Sequence, residues 1–168
     1  MGAENLEDGT RASAVEVILS LTVEMPAPVR KAAETASLFF PSLIKMLMEV
    51  EKDDETWINS AEEEDISATG PSSTAIDALK RISVDLGEKT TLAIIQPMIG
   101  QCSVSENWVE KQAGFMMMGL IAESCQGSIR KNLDSSIMFA CKGLQETNMR
   151  VKHASLFAMT NLFEILAP

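Results

Sequence analysis

The chain has 168 residues, 46% of them apolar and 23% charged, with a net charge of −10. That is enough apolar material for one cored domain and too much for a disordered chain. The charge disfavours phosphate backbones, and so nucleic acid, and favours basic partners. No apolar run reaches the ~18–20 residues that span a bilayer, so no membrane partner is expected.

The first nine residues, Met1 to Gly9, are acidic and without apolar period, and read as a flexible lead-in. From Thr10, a plausible N-cap, Ala14, Val17, Ile18, Leu21 and Met25 recur at helical spacing until Pro26-Ala-Pro28 stops the pattern. A second helix is predicted over 29–50, kinked or split near Phe40 by Pro41.

Residues 51–70 then break the pattern. They hold eight acids and one Lys, −7 of the total −10, and close on Gly70-Pro71-Ser72-Ser73, a loop-to-helix transition. Further helices are predicted over 73–86 (ended by Gly87), 91–102 (with Pro97 inside), 108–125, 128–144 and 149–166. That makes about seven helices and no strand.

Four of these helices align without gaps on Ala14, Ala75, Ala113 and Ala154, spaced by 61, 38 and 41 residues. Apolar residues follow three, four and seven positions on, with Asn161 the one departure, and an acid stands ten on each time: Glu24, Asp85, Glu123, Glu164. Spacings of about 40 residues match two-helix HEAT-type repeats. The first spacing exceeds that period by about the length of the acidic stretch, so the insertion falls inside one helix pair. The expected fold is all-α, a HEAT-repeat (armadillo-like) right-handed α-solenoid over 10–168, with an acidic loop at 51–70. The second helix of each pair should line the concave face, and the small Ala permits close helix approach. The first helix lacks a partner, so the chain reads as a fragment of a longer solenoid.

Several candidate chemistries fail. Gly87-Glu-Lys-Thr90 lacks the upstream Gly of a phosphate loop, and 53–65 lacks the Gly and ligand spacing of an EF-hand. His153 is the single His and has no paired Cys or Asp, so neither a zinc site nor a nucleophilic triad is built on it. No enzyme, metal or cofactor is expected. Cys102, Cys125 and Cys141 are widely separated and read as reduced core residues of a cytosolic or nuclear protein. Met116-Met117-Met118 reads as core.

A particular order of segments carries a family resemblance. Met46-Leu-Met-Glu-Val50 is followed by the acidic loop with Asp53-Asp54-Glu55-Thr56-Trp57, and then by Ala75-Ile-Asp-Ala-Leu79. Next come Ile94-Ile95-Gln96-Pro97-Met98-Ile99 and Glu106-Asn107-Trp108, with Lys111 opening the next helix. Gly119-Leu120-Ile121-Ala122-Glu123-Ser124-Cys125, Gly143-Leu144-Gln145-Glu146 and Arg150-Val151-Lys152 complete it. This order resembles the central HEAT repeats of importin-β (karyopherin-β) nuclear transport receptors, above all those importing ribosomal proteins and histones.

The resemblance implies a receptor that shuttles between cytoplasm and nucleus. It would bind basic cargo or nuclear localisation signals on its concave face, answer to Ran in its GTP form, and meet nucleoporins. It also implies that the loop acids Glu51, Asp53, Asp54, Glu55, Glu62, Glu63, Glu64 and Asp65 contact Ran or cargo; otherwise they form a solvated insertion. Trp57 would staple that loop to the helices or touch a partner. Trp108 would pack between repeats or stack on a cargo cation. Asp85, Glu123 and Glu164 would bond between repeats or form an acidic stripe. Such repeats often place Asp-Pro before the second helix and Arg inside it. This chain instead has Glu146 with Lys152, and Ser105 with Lys111, which implies a weaker ladder between repeats. The other function open to such an array is a scaffold of the phosphatase- or kinase-assembling type.

Overall fold

The computed structural model describes residues 7–31, 33–50, 54–61 and 70–166. Among them ten helices follow one another: α1 (Asp8–Glu24), α2 (Pro26–Lys31), α3 (Ala33–Leu47), α4 (Asp54–Ala61) and α5 (Pro71–Leu86), then α6 (Glu88–Ser103), α7 (Trp108–Leu120), α8 (Gln126–Lys131), α9 (Leu133–Leu144) and α10 (Met149–Glu164). No strand occurs among the described residues.

The seven expected helices are α1, α3, α5, α6, α7, α9 and α10, with three short ones between them. α2 begins at Pro26, which the sequence reading treated only as a stop. Proline is at home in a first turn, where its missing N–H has no intrahelical partner anyway. α3 runs through Pro41 without splitting. Pro41 is exposed, so its ring faces water and not a neighbouring helix. α1 starts earlier than Thr10, with Glu7 at its N-cap, so Asp8 and Gly9 are helical. The predicted helix over 108–125 ends at Leu120, and the one over 128–144 divides at Asn132 into α8 and α9.

The helices stack as pairs, α3 with α5, α6 with α7 and α9 with α10, and α1 lies against α5. Gly87, at φ 77°, turns the chain from α5 into α6 within one residue, a backbone region that side chains rarely adopt. The repeat origins Ala75, Ala113 and Ala154 are 0%, 1% and 0% exposed. Leu79, Ile82, Leu86, Met117, Leu120, Ala158 and Leu162 continue the same buried face. The second helices α1 and α5, and α7 and α10, press closely on each other, while α5 meets α7 no more than α3 meets α6.

α1 departs from the alignment. Ala14, Val17 and Leu21 align with the buried Ala75, Ala78 and Ile82, yet they are exposed. No described helix pairs with α1 on that side, so α1 is held instead through Val15, Leu19 and Thr22. Met117 is fully buried, with Met116 and Met118 packed against the core. Cys102 and Cys125 are buried free thiols, and burial pushes both above their ordinary ionisation range.

Candidate functional site

The second helices end together, and their ends build one groove. Asp85 of α5, Glu123 just after α7 and Glu164 at the end of α10 line a cavity of about 430 Å³, floored by Gly119 and Asn161. The sequence placed these acids late in their helices, where the dipole disfavours them. The structure shows how two of the helix ends are relieved. Thr22, 1% exposed on α1, donates its hydroxyl to Asp85 at 2.8 Å. At α10 the guanidinium of Arg130 donates to the carbonyl of Ile165, with Nε at 2.9 Å, beside Glu164.

Glu123 and Glu164 are exposed on the groove. Lys80 and Arg81 also line it, but Arg81 is paired with Glu16 at 3.1 Å and Asp77 at 3.3 Å. The unneutralised charge of the groove is therefore predominantly negative. Gly119 lets α7 and α10 approach: a Cβ there would lie 2.7 Å from the Phe157 ring and 3.1 Å from Ala158 Cα.

Trp108 lies elsewhere. It is the first residue of α7, so roughly 18 Å of helix separates it from the acidic end. The three acids share a site; Trp108 does not join them. Its ring stands 5.1 Å from the guanidinium carbon of Arg150, which is 1% exposed. The same guanidinium lies 5.2 Å from the ring of Trp57, and Trp57 meets His153 edge-on at 5.6 Å. A cation thus already stands over Trp108, and it belongs to this chain.

Around that cluster Asn107 and Asn148 cap α7 and α10, accepting the amides of Val109 at 3.1 Å and Arg150 at 2.9 Å. Lys111 donates to both carboxylate oxygens of Glu146 at 2.9 Å, linking α7 to the loop before α10. The sequence reading set Lys111 beside Ser105 and Glu146 beside Lys152 within repeats, and missed this link between them. On the opposite rim Glu88 accepts the amide of Ser128. That bond joins α6 to α8 and holds the Glu88 carboxyl below its ordinary range, first through the Ser128 hydroxyl and then through its amide.

In the sequence Arg150 stands out only as part of a segment that carries the family resemblance, with no functional role. It occupies the repeat position that Val109 holds one unit earlier and that Thr10 and Pro71 hold before it, so no period singles it out. Of the loop residues, Asp54 and Glu55 belong to α4, and Glu55 is exposed. Glu51, Asp53, Glu62, Glu63, Glu64 and Asp65 lie outside the described residues. Among the described residues no cluster of three potential metal-ligating side chains occurs, and no helix is long and apolar enough to cross a membrane.

An importin repeat family model matches residues 3–93, more than half of the chain. Importin-4 of Mus musculus is 25% identical over 99 residues, covering 58% of this chain and 9% of its own length. Importin-4 of Homo sapiens is 25% identical over 119 residues, covering 69% of this chain and 11% of its own length. Among solved structures, the karyopherin Kap121p bound to the extreme C-terminus of the protein phosphatase Cdc14p superposes with a TM-score of 0.85 at 19% identity. Kap121p bound to Nup53p and to Pho4p superposes equally well. Each of these matches covers 99% of this chain and 16% of the karyopherin, so this chain spans a small part of its relatives' length. At that identity the likeness is one of fold.

Proposed function

This chain belongs to the importin repeat family of the importin-β receptors, and we propose that it is the part of a nuclear transport receptor that holds a basic segment of cargo. The supporting observation is the convergence of Asp85, Glu123 and Glu164, from three consecutive repeats, on one groove. An extended chain laid across second helices crosses one repeat after another. Lysines or arginines along it would meet an acid at each helix end. Such charge pairing acts over roughly 8 Å at physiological salt and contributes mainly to on-rate and selectivity. Basic cargo of the ribosomal-protein and histone kind fits that chemistry, and so do basic stretches of nucleoporins.

The acidic loop has the second part in this reading. Its carboxylates, among them Asp54 and Glu55 on α4, would contact Ran in its GTP form and so couple cargo release to the nuclear compartment, with shuttling between cytoplasm and nucleus as the consequence. The second helices would form the inner, concave face of the array, with the groove at one end and α4 of the loop beside Trp108 at the other. The exposed row Val17 and Leu21 on α1, with Met25 just after it, supports a further helix packing there in a longer array.

The direct experiment follows a lysine- and arginine-rich fluorescent peptide by anisotropy as this chain is titrated in, at increasing salt. Saturable binding that weakens steadily with salt is expected, against none for an acidic peptide of equal length. Equal binding of both peptides would reject the groove. For the loop, deleting 51–70 from the longer receptor should weaken Ran-GTP binding in a salt-dependent way. Unchanged Ran and cargo affinities would reject its role.

A further inference from the structure

A solenoid is nearly one-dimensional: each repeat rests on its neighbours, and its stability is a sum of nearest-neighbour terms. Nothing in that scheme brings the first helix pair to the third. Trp57 does so. It is carried by α4, between the two helices of the first pair, and it lies on Arg150 and His153 of α10 in the third. Arg150 is 1% exposed and also stands over Trp108, which opens the second helix of the middle pair. One guanidinium is therefore shared by three consecutive pairs, through two indoles and its own helix.

The chemistry makes this contact more than incidental packing. Trp is the strongest of the aromatic partners for a cation, and the attraction grows when the cation is withdrawn from water. Arg150 meets both conditions. Its neighbours fix the position further: Asn148 holds the first turn of α10, and Lys111 with Glu146 joins the middle and third pairs on the same rim. The distance from α4 to α10 depends on how strongly the stack is bent. A contact across that distance consequently favours one curvature, and a change of curvature must work against it.

We propose that Trp57 is an intramolecular tie that fixes the curvature of the three pairs and keeps the aromatic face at Trp108 filled with the chain's own Arg150. With the tie closed, that end of the inner face has no room for an outside lysine or arginine. Released, the Trp108 end becomes a second place where a basic segment can stack, at the far end of the same helices from the acidic groove. The tie stands on the geometry alone; its effect on ligands rests on the inner-face reading above.

The test compares the parent chain with Trp57→Ala and Trp57→Phe by hydrogen exchange and small-angle scattering. Amides of residues 150–155 should exchange roughly 3- to 30-fold faster in Trp57→Ala, the range of a desolvated cation–π contact, with Trp57→Phe between. The radius of gyration should rise in the same order. Unchanged exchange over 150–155 in Trp57→Ala would overturn the tie. Anisotropy with an arginine-containing peptide then reads the second half. Trp57→Ala should bind severalfold more tightly than the parent, and adding Trp108→Ala should abolish the gain. Equal or weaker binding by Trp57→Ala would overturn the blocking of Trp108. Failure of the parent and both variants to bind any peptide would count against the groove itself, with the exchange result still deciding the tie.

Discussion

The ammonium of Lys111 reaches both carboxylate oxygens of Glu146 at 2.9 Å, across the boundary between the second and third helix pairs. The two side chains are 20% and 32% exposed, so this pair is partly shielded from solvent. Lys111→Met should lower unfolding stability by about 1 kcal/mol, near the upper end for an ion pair that still touches water. Chemical denaturation of Lys111→Met, Glu146→Gln and the double variant would isolate the coupling. Additive single effects would mean that the pair contributes nothing.

Glu88 holds the second ladder, on the opposite rim. Its folded carboxyl lies below the ordinary value of 4.5 because Ser128 donates to the charged form. A depressed folded value means that the stabilisation is present above about pH 4.5 and is lost as pH falls through the lower folded value. Glu88→Gln should therefore be less stable than the parent at neutral pH, and the gap should close on acidification. Denaturant midpoints taken from pH 7 down to 3 would show it. A gap independent of pH would remove the charge from the explanation.

Gly119 governs how near α7 and α10 lie. A methyl there meets Ala158 Cα at 3.1 Å, which is backbone and does not swing aside. Gly119→Ala should cost about 1–3 kcal/mol through overpacking, less whatever alanine returns in helix propensity. It should also weaken peptide binding, because it reshapes the groove floor. A stabilised variant with unchanged binding would show that the helices part without effect.

The repeat arithmetic made much of this fold readable. Ala75, Ala113 and Ala154 share one environment, and a period shared by three helices identifies it without any tertiary information. Ala14 shows the limit: it follows the same pattern but is exposed, since burial depends on a neighbour that the local sequence does not encode. The acids at 85, 123 and 164 were legible as a row because solenoid geometry carries equal positions to one face. The links between repeats were not. Lys111 with Glu146, Glu88 with Ser128 and Thr22 with Asp85 join residues 35, 40 and 63 positions apart, where side-chain reach and helix tilt decide the partner. Trp57 on Arg150 lay further still from local rules, since it skips a whole repeat.

The acidic groove is best tested by reversing the two of its carboxylates that are exposed. Glu123→Lys with Glu164→Lys leaves the bond between Thr22 and Asp85 in place, so circular dichroism should stay that of the parent. Anisotropy with the lysine- and arginine-rich peptide should then show affinity lowered by about tenfold or more, with a flatter dependence on salt. Unchanged affinity in this double variant would contradict the assignment of the inner-face acids to a basic ligand.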